Sequence, residues 1–196
     1  MAVVVKRKKS DVILPYIPVE GHLKDGRKVI LDWYKDEDEE QVHSIVKYIV
    51  NEEGDSYPQE NLSDVEDFRG FFASHDVFVC RDVNSSEVLA SFYVKPNFPD
   101  RCSHICNGGF AVKKSARRLG IGKFIARHYL QVARDLGYQA SLFNLVFVTN
   151  EAAVGLWRSM GFTEIGRIPN AGNLKGHGNT DAIQFYYDLS KIEKKA

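Results

Sequence analysis

The stretch that most constrains this chain is residues 107–138, NGGFAVKKSARRLGIGKFIARHYLQVARDLGY. Gly109, Phe110, Ala111 and Val112 read as the end of a short apolar strand, followed by a basic turn with Arg117, Arg118, Leu119, Gly120, Ile121, Gly122 and Lys123. Beyond the turn, Ile121, Phe124, Ile125, Tyr129, Val132, Ala133 and Leu136 recur at helical spacing, and Gly137 is placed to end the helix. A strand feeding a glycine-bearing basic loop that opens a helix makes an anion site. The first helical turn has unpaired N–H groups and the positive end of the dipole, and glycines let a phosphate approach the backbone.

Spacing selects among phosphate ligands. A Walker loop needs Gly-Lys-Ser/Thr, and here Gly122-Lys123 is followed by Phe124. A dinucleotide fingerprint needs Gly-x-Gly-x-x-Gly, and only Gly120 and Gly122 are present. The pattern that fits is Arg-x-x-Gly-x-Gly, read on Arg117, Gly120 and Gly122. It resembles the acetyl-coenzyme A pyrophosphate loop of the GNAT acetyltransferase superfamily.

The rest of the chain is consistent with one globular domain. At 196 residues it suits a single full core, with residues 1–27 as an irregular arm bearing at most one short strand and 28–196 as the domain. Apolar content of 44%, charged content of 27% and zero net charge imply neither nucleic acid nor an anionic membrane as partner. No apolar run approaches the roughly 20 residues that span a bilayer. The start lacks a signal-peptide core, so a cytoplasmic protein is expected; Lys6-Arg7-Lys8-Lys9 reads as a solvated tail or, on a short match, a nuclear address. The three cysteines do not suggest a disulfide framework. Cys102, His104 and Cys106 alternate at strand spacing but lack the pairs of a structural zinc site, so no metal is expected.

Residues 28–34 form a first strand, and the acidic run at 36–40 opens a helix that ends near Gly54. Ser63-Asp64-Val65-Glu66 reads as a capping box for a second helix with Phe68, Phe71 and Phe72. Residues 77–81 and 88–94 pair as a hairpin around Asn84-Ser85-Ser86, and 102–112 form the loop strand. Residues 141–148 are a nearly continuous apolar run, as in a central strand. Asn150 starts a short helix, 162–168 form a strand, 169–180 read as a mobile glycine-rich segment, and 182–189 form the closing strand. The strand–helix–strand unit places its strands parallel by a right-handed crossover. This succession is similar to the whole GNAT fold, which implies an α/β architecture: a mixed, mostly antiparallel sheet with a central parallel pair that splays apart, flanked by helices.

Three segments narrow the resemblance. Arg101-Cys-Ser-His-Ile-Cys-Asn-Gly-Gly-Phe110, Phe143-Asn-Leu-Val-Phe-Val-Thr-Asn150 and Asp181-Ala-Ile look like the fungal L-azetidine-2-carboxylate acetyltransferases, which acetylate the ring nitrogen of toxic proline analogues. The first third of the chain matches more loosely. The resemblance implies substrate-handling and catalytic asparagines at Asn107, Asn144 and Asn150, with Phe110 near the substrate. It implies acetyl-CoA as cosubstrate, held by Phe110, Ala111 and Val112, by the loop from Arg117, Arg118, Leu119, Gly120, Ile121 and Gly122 to Lys123, and by Asn150. It implies a small-molecule amine as acceptor and admits a homodimer.

Each residue also has an ordinary structural role to weigh. Asn144 lies in an apolar run, where an unpaired amide costs roughly 1–3 kcal/mol, so substrate, Asn107 or a backbone group must satisfy it. Asn150 suits a helix N-cap. Gly108 and Gly109 suggest a bulge that would turn Asn107 and Phe110 toward one cavity. Many GNAT enzymes carry a Tyr where this chain has Trp157, and the loop strand offers no carboxylate base. His104 through water, a covalent route through Cys106, or an amine that arrives neutral are the alternatives. Acetylation of a peptide amine and non-catalytic acetyl-CoA binding are the competing functions.

Overall fold

The computed structural model describes residues 9–192. Residues 6–8 of the basic run therefore lie outside the described residues. The order is β1 (Val19–His22), β2 (Lys28–Trp33), α1 (Glu39–Lys47), a π-helical extension (Tyr48–Glu53), α2 (Val65–Phe71), β3 (Asp76–Asp82), β4 (Val88–Pro96), β5 (Ile105–Val112), α3 (Ile121–Asp135), β6 (Ala140–Phe147), α4 (Glu151–Ser159), β7 (Thr163–Leu174) and β8 (Gly178–Asp188). The strands form one sheet in the order β1-β2-β3-β4-β5-β6-β8-β7. Every neighbouring pair is antiparallel except β5 and β6.

Alternation along the strands sorts side chains onto two cores. Val77, Val79, Tyr93 and Ala111 pack with Val42 and Val46 from α1, Phe68 from α2 and its C-cap Phe72. Phe78, Cys80, Phe92 and Cys106 pack on the other face with Ile121, Ile125, Tyr129 and Trp157 from α3 and α4. The short strand anticipated in the arm is β1, paired with β2, and Leu14, Ile17 and Leu23 are buried in the α3-side core.

Several local expectations are corrected. The loop strand begins at Ile105, because residues 100–102 turn as a 3-10 helix entered from Pro99 with Asp100 at φ 50°. Cys102 and His104 are therefore exposed and outside the sheet, and they do not alternate with buried Cys106 along one strand. The second helix is capped by Asp64, whose Oδ1 accepts the Glu66 N–H at 2.7 Å, while Ser63 Oγ donates to Asn61. Residues 169–180 are a long hairpin, because β7 and β8 stay paired from Thr163↔Tyr186 to Leu174↔Gly178 around a bulge at 169–171. The glycines there serve a tight turn and close packing: Gly172 lies against the Phe147 ring, where a Cβ would come within 2.7 Å.

Candidate active site

β5 and β6 are paired only at Ile105↔Ala140 and Cys106↔Ser141, and the strands diverge beyond that point. The divergence has a local cause in β6. Against β8, Phe143 faces Phe185 but Val146 faces Ile183, so β6 carries one extra residue and bends at Asn144 and Leu145. The bulge expected at Gly108 and Gly109 is absent, since β4 and β5 stay in register from Ala90↔Val112 to Pro96↔Cys106. Those glycines answer to aromatic rings instead. A Cβ on Gly108 would meet Tyr129 Cε2 at 2.4 Å, and one on Gly109 would meet Tyr93 Cε1 at 2.3 Å. Alternation then puts Asn107 and Phe110 on opposite faces of β5, and both border the gap because the gap passes through the sheet.

The opening is a cleft of about 220 Å³ walled by Asn107, Phe110, Asn144, Asn150, Tyr57 and Trp157 among others. Asn97 N–H donates to Ile105 O and Lys113 N–H to Leu89 O, so the odd-numbered residues of β5 direct their backbone groups at β4. The even-numbered residues Gly108, Phe110 and Val112 point theirs into the splay. This corrects the expectation for Ala111, whose N–H belongs to the β4 ladder. Tyr57 Oη donates to Phe110 O at 2.8 Å and fixes that peptide, leaving its carbonyl occupied and the N–H edge of β5 facing the gap.

Each asparagine has a definite place. Asn144 is held by Asn97, with Nδ2–Oδ1 bonds of 2.9 and 2.6 Å in the two directions, so its partner is the loop after β4 and not Asn107. Asn150 caps α4 by accepting the Ala153 N–H at 3.1 Å, and its Nδ2 donates to Ser56 Oγ at 3.2 Å. Gln59 Oε1 and Thr149 Oγ1, next in sequence to the cleft residues Pro58 and Asn150, are buried without a hydrogen-bond partner.

The loop before α3 is a concave N–H surface. Arg118 (φ 64°) and Gly120 (φ 88°) are both left-handed, which turns successive amides to one side. Gly120 is the N-cap and no side chain caps α3, so the first-turn N–H groups of Ile121, Gly122 and Lys123 are open to an anion. Lys24 N–H donates to Leu119 O and pins the loop against the turn between β1 and β2. Arg118 and Lys123 are exposed, whereas the guanidinium of Arg117 is engaged by Glu53 in two bonds of 2.8 and 2.7 Å. These features fit a pyrophosphate, with positive charge drawn from Arg118 and Lys123.

The acid–base options narrow. Trp157 is buried against Phe110 and Phe143, with ring centroids 4.9 and 4.5 Å away, and forms wall only. His104 borders a different cavity, at the end of β5 and β6 where the strands are paired. Burial pushes the Cys106 thiol up to about 11, and its Sγ lies 3.5 Å from Tyr129 Oη. Sequence reasoning missed Tyr57, which lines the cleft, and Asn97 and Lys95, which contact the lining residues Asn144, Phe71 and Tyr93. A lone Asn among prolines (Asn97) and a Lys ending an apolar strand (Lys95) were the available signals.

Comparison with known proteins agrees with this architecture. The family model described as Acetyltransferase (GNAT) family matches residues 29–162. The chain is 38% identical over 174 residues to N-acetyltransferase aca1 of Schizosaccharomyces pombe, covering 79% of this chain and 83% of that protein. It is 34% identical over 109 residues to Protein SPT10 of Saccharomyces cerevisiae, covering 55% of this chain and 17% of that protein. A GCN5-related N-acetyltransferase from Kribbella flavida superposes with a TM-score of 0.76 at 27% identity, over 82% of this chain and 97% of that one. yncA from Salmonella typhimurium, solved with its cofactor acetyl-CoA, shares the fold with a TM-score of 0.71 at 15% identity, over 86% of this chain and 98% of that one. With the family model matched over more than half its length and the sheet and splay in place, the chain belongs to the GNAT family of N-acetyltransferases.

Proposed function

We propose that this protein transfers the acetyl group of acetyl-CoA directly to the nitrogen of a small cyclic secondary amino acid, of which azetidine-2-carboxylate and other proline analogues are the type. The observation that carries this reading is the splay cleft itself. Asparagines rim it, aromatic rings wall it, and at about 220 Å³ it is smaller than the roughly 300–1,000 Å³ pockets of drug-sized ligands. A peptide amine would need an open groove.

Acetyl-CoA supplies an activated thioester carbonyl. The amides of Ile121, Gly122 and Lys123, with the side chains of Arg118 and Lys123, hold its pyrophosphate. The N–H groups of Phe110 and Val112 face the gap and donate to the negative charge that develops on the carbonyl oxygen. Asn107 and the Asn97–Asn144 pair orient the acceptor, and Asn150 positions the start of α4 at the cleft. A neutral secondary amine attacks the carbonyl carbon and the C–S bond breaks. The proton lost by the nitrogen goes to the departing thiolate to give free coenzyme A, so positioning and a fixed donor do most of the work. A covalent route through Cys106 lacks a thiolate, because its thiol stays protonated near neutral pH.

The test is release of free coenzyme A from acetyl-CoA with azetidine-2-carboxylate, compared with peptides carrying free amines. Turnover with the imino acid and not with peptides is expected; the reverse pattern sinks the reading. Gly120→Asp tests the loop separately. It adds a carboxylate where phosphate approaches and a side chain at φ 88°, and cofactor affinity is expected to fall below detection by calorimetry. Unchanged affinity would refute the loop assignment.

A further inference from the structure

Lys95 stands beside the cleft, against the lining rings of Phe71 and Tyr93, and the transfer reaction leaves it unused. It closes β4 after the apolar run from Val88 to Val94, directly opposite Asn107 on β5. Cross-strand partners project from the same face with Cβ atoms about 5 Å apart, so Lys95 and Asn107 emerge side by side. Lys95 Nζ donates to Phe71 O at 2.7 Å and lies 4.4 and 4.9 Å from the ring centroids of Tyr93 and Phe71, both of which line the cleft.

This ammonium has partial partners only. A neutral carbonyl and two ring faces soften the loss of water, but among the described residues no carboxylate pairs with it. The neighbouring elements supply none. Asp76 of β3 sits opposite Val94, on the other face of the sheet, and accepts the Ser10 N–H. Glu66 of α2 is engaged by Arg69, and burial raises the hydroxyls of Tyr57 and Tyr93 so that they stay neutral. A half-buried cation without an anion is costly, and a Met or Gln of similar length would pack beside Phe71 and Tyr93 without that cost. Uncompensated charge beside a binding cleft points to a ligand that completes it.

Resting on the N-acetyltransferase reading above, we infer that Lys95 is a specificity-determining residue that recognises the acceptor's carboxylate. The site then selects amines bearing an acid group next to the nitrogen. The juxtaposition suits that chemistry, with an amide rim at Asn107 for the nitrogen and an ammonium one strand away for the carboxylate. A carboxylate is a stronger acceptor for Nζ than the Phe71 carbonyl it holds in this structure, and the flexible stem lets Lys95 exchange one for the other.

The experiment measures kcat/KM for azetidine-2-carboxylate and for its carboxamide with wild type, Lys95→Met and Lys95→Arg, alongside peptide acceptors and acetyl-CoA affinity. Wild type is expected to prefer the carboxylate. Lys95→Met should reduce that preference about tenfold or more through KM, and Lys95→Arg should restore most of it. An equal loss on both acceptors, or a wild type indifferent to the carboxylate, overturns the role of Lys95 alone. Acetylation of peptides with no turnover of either ring amine overturns the acceptor reading and this inference together. Should Lys95→Met fail to fold, Lys95→Gln keeps a donor near Phe71 O and makes the same comparison.

Discussion

Arg117 and Glu53 meet in a two-point ion pair, Nη1 to Oε1 at 2.8 Å and Nη2 to Oε2 at 2.7 Å. The pair joins two halves of the site. Arg117 opens the turn before α3, and Glu53 ends the π-helical extension that leads through Gly54 to Ser56 and Tyr57 at the cleft. The hairpin between β7 and β8 docks at the same point, with Lys175 N–H donating to Gly54 O and Lys175 Nζ to the carbonyls of Asn51 and Glu52.

Replacing Glu53 with Gln should therefore separate charge from structure. The pair is partly exposed, so stability should fall by less than about 1 kcal/mol. Removing a carboxylate beside the phosphate loop and freeing Arg117 should tighten coenzyme A binding about 2–5-fold, measured by calorimetry. Weaker binding would mean that Arg117 acts by holding Glu53 and not through its charge.

Gly108→Ala and Gly109→Ala should each lower stability by about 1–3 kcal/mol in denaturant titration, because the new methyl lands on the Tyr129 or Tyr93 ring. Gly155→Ala is the control. It lies exposed within α4 with nothing within 4 Å of the added Cβ, and should gain roughly 0.5–1 kcal/mol. Equal effects at all three positions would remove the ring-packing explanation.

Asn97→Ala should reproduce the phenotype of Asn144→Ala, with kcat reduced and acetyl-CoA affinity nearly intact, because each amide satisfies the other. The double variant should lose little more than either single one, a non-additivity expected of a shared interaction. Strict additivity in kcat would show that the two asparagines act separately.

Burial lowers the Lys95 ammonium from its ordinary 10.5 to about 8. Between pH 8 and 10.5 the unfolded chain retains a proton that the folded one has lost, so this group adds stability as pH rises through that window and withdraws it as pH falls back through 8. A ring carboxylate without an amine, cyclobutanecarboxylate, isolates the functional consequence. Its dissociation constant should rise as the pH passes about 8 in the wild type and stay level in Lys95→Arg. A level profile in both would detach the carboxylate from Lys95.

Short-range patterns carried much of the fold and half of the site. The helical period after Gly120, the apolar run of β6 and the N-cap at Asn150 are local properties, and each stands where the pattern put it. Errors fell where distant elements compete for one residue. Gly108 and Gly109 have the composition of a bulge, yet they answer to Tyr129 and Tyr93 from other elements, and the bulge lies across the gap at Asn144 and Leu145. The glycines of residues 169–180 suggested mobility because sequence alone does not show that β8 pairs along the whole segment.

The sequence by itself determined the glycine-bearing turn that opens α3, since glycine geometry and a helix start with uncapped amides lie within a few residues. Tertiary structure decided the cleft side. Tyr57 on Phe110 O, Asn97 on Asn144, Glu53 on Arg117 and Lys95 beside Asn107 are pairs separated by 53, 47, 64 and 12 positions. Their partnership follows from sheet order and from where β6 bends, and those are set by packing of the whole core.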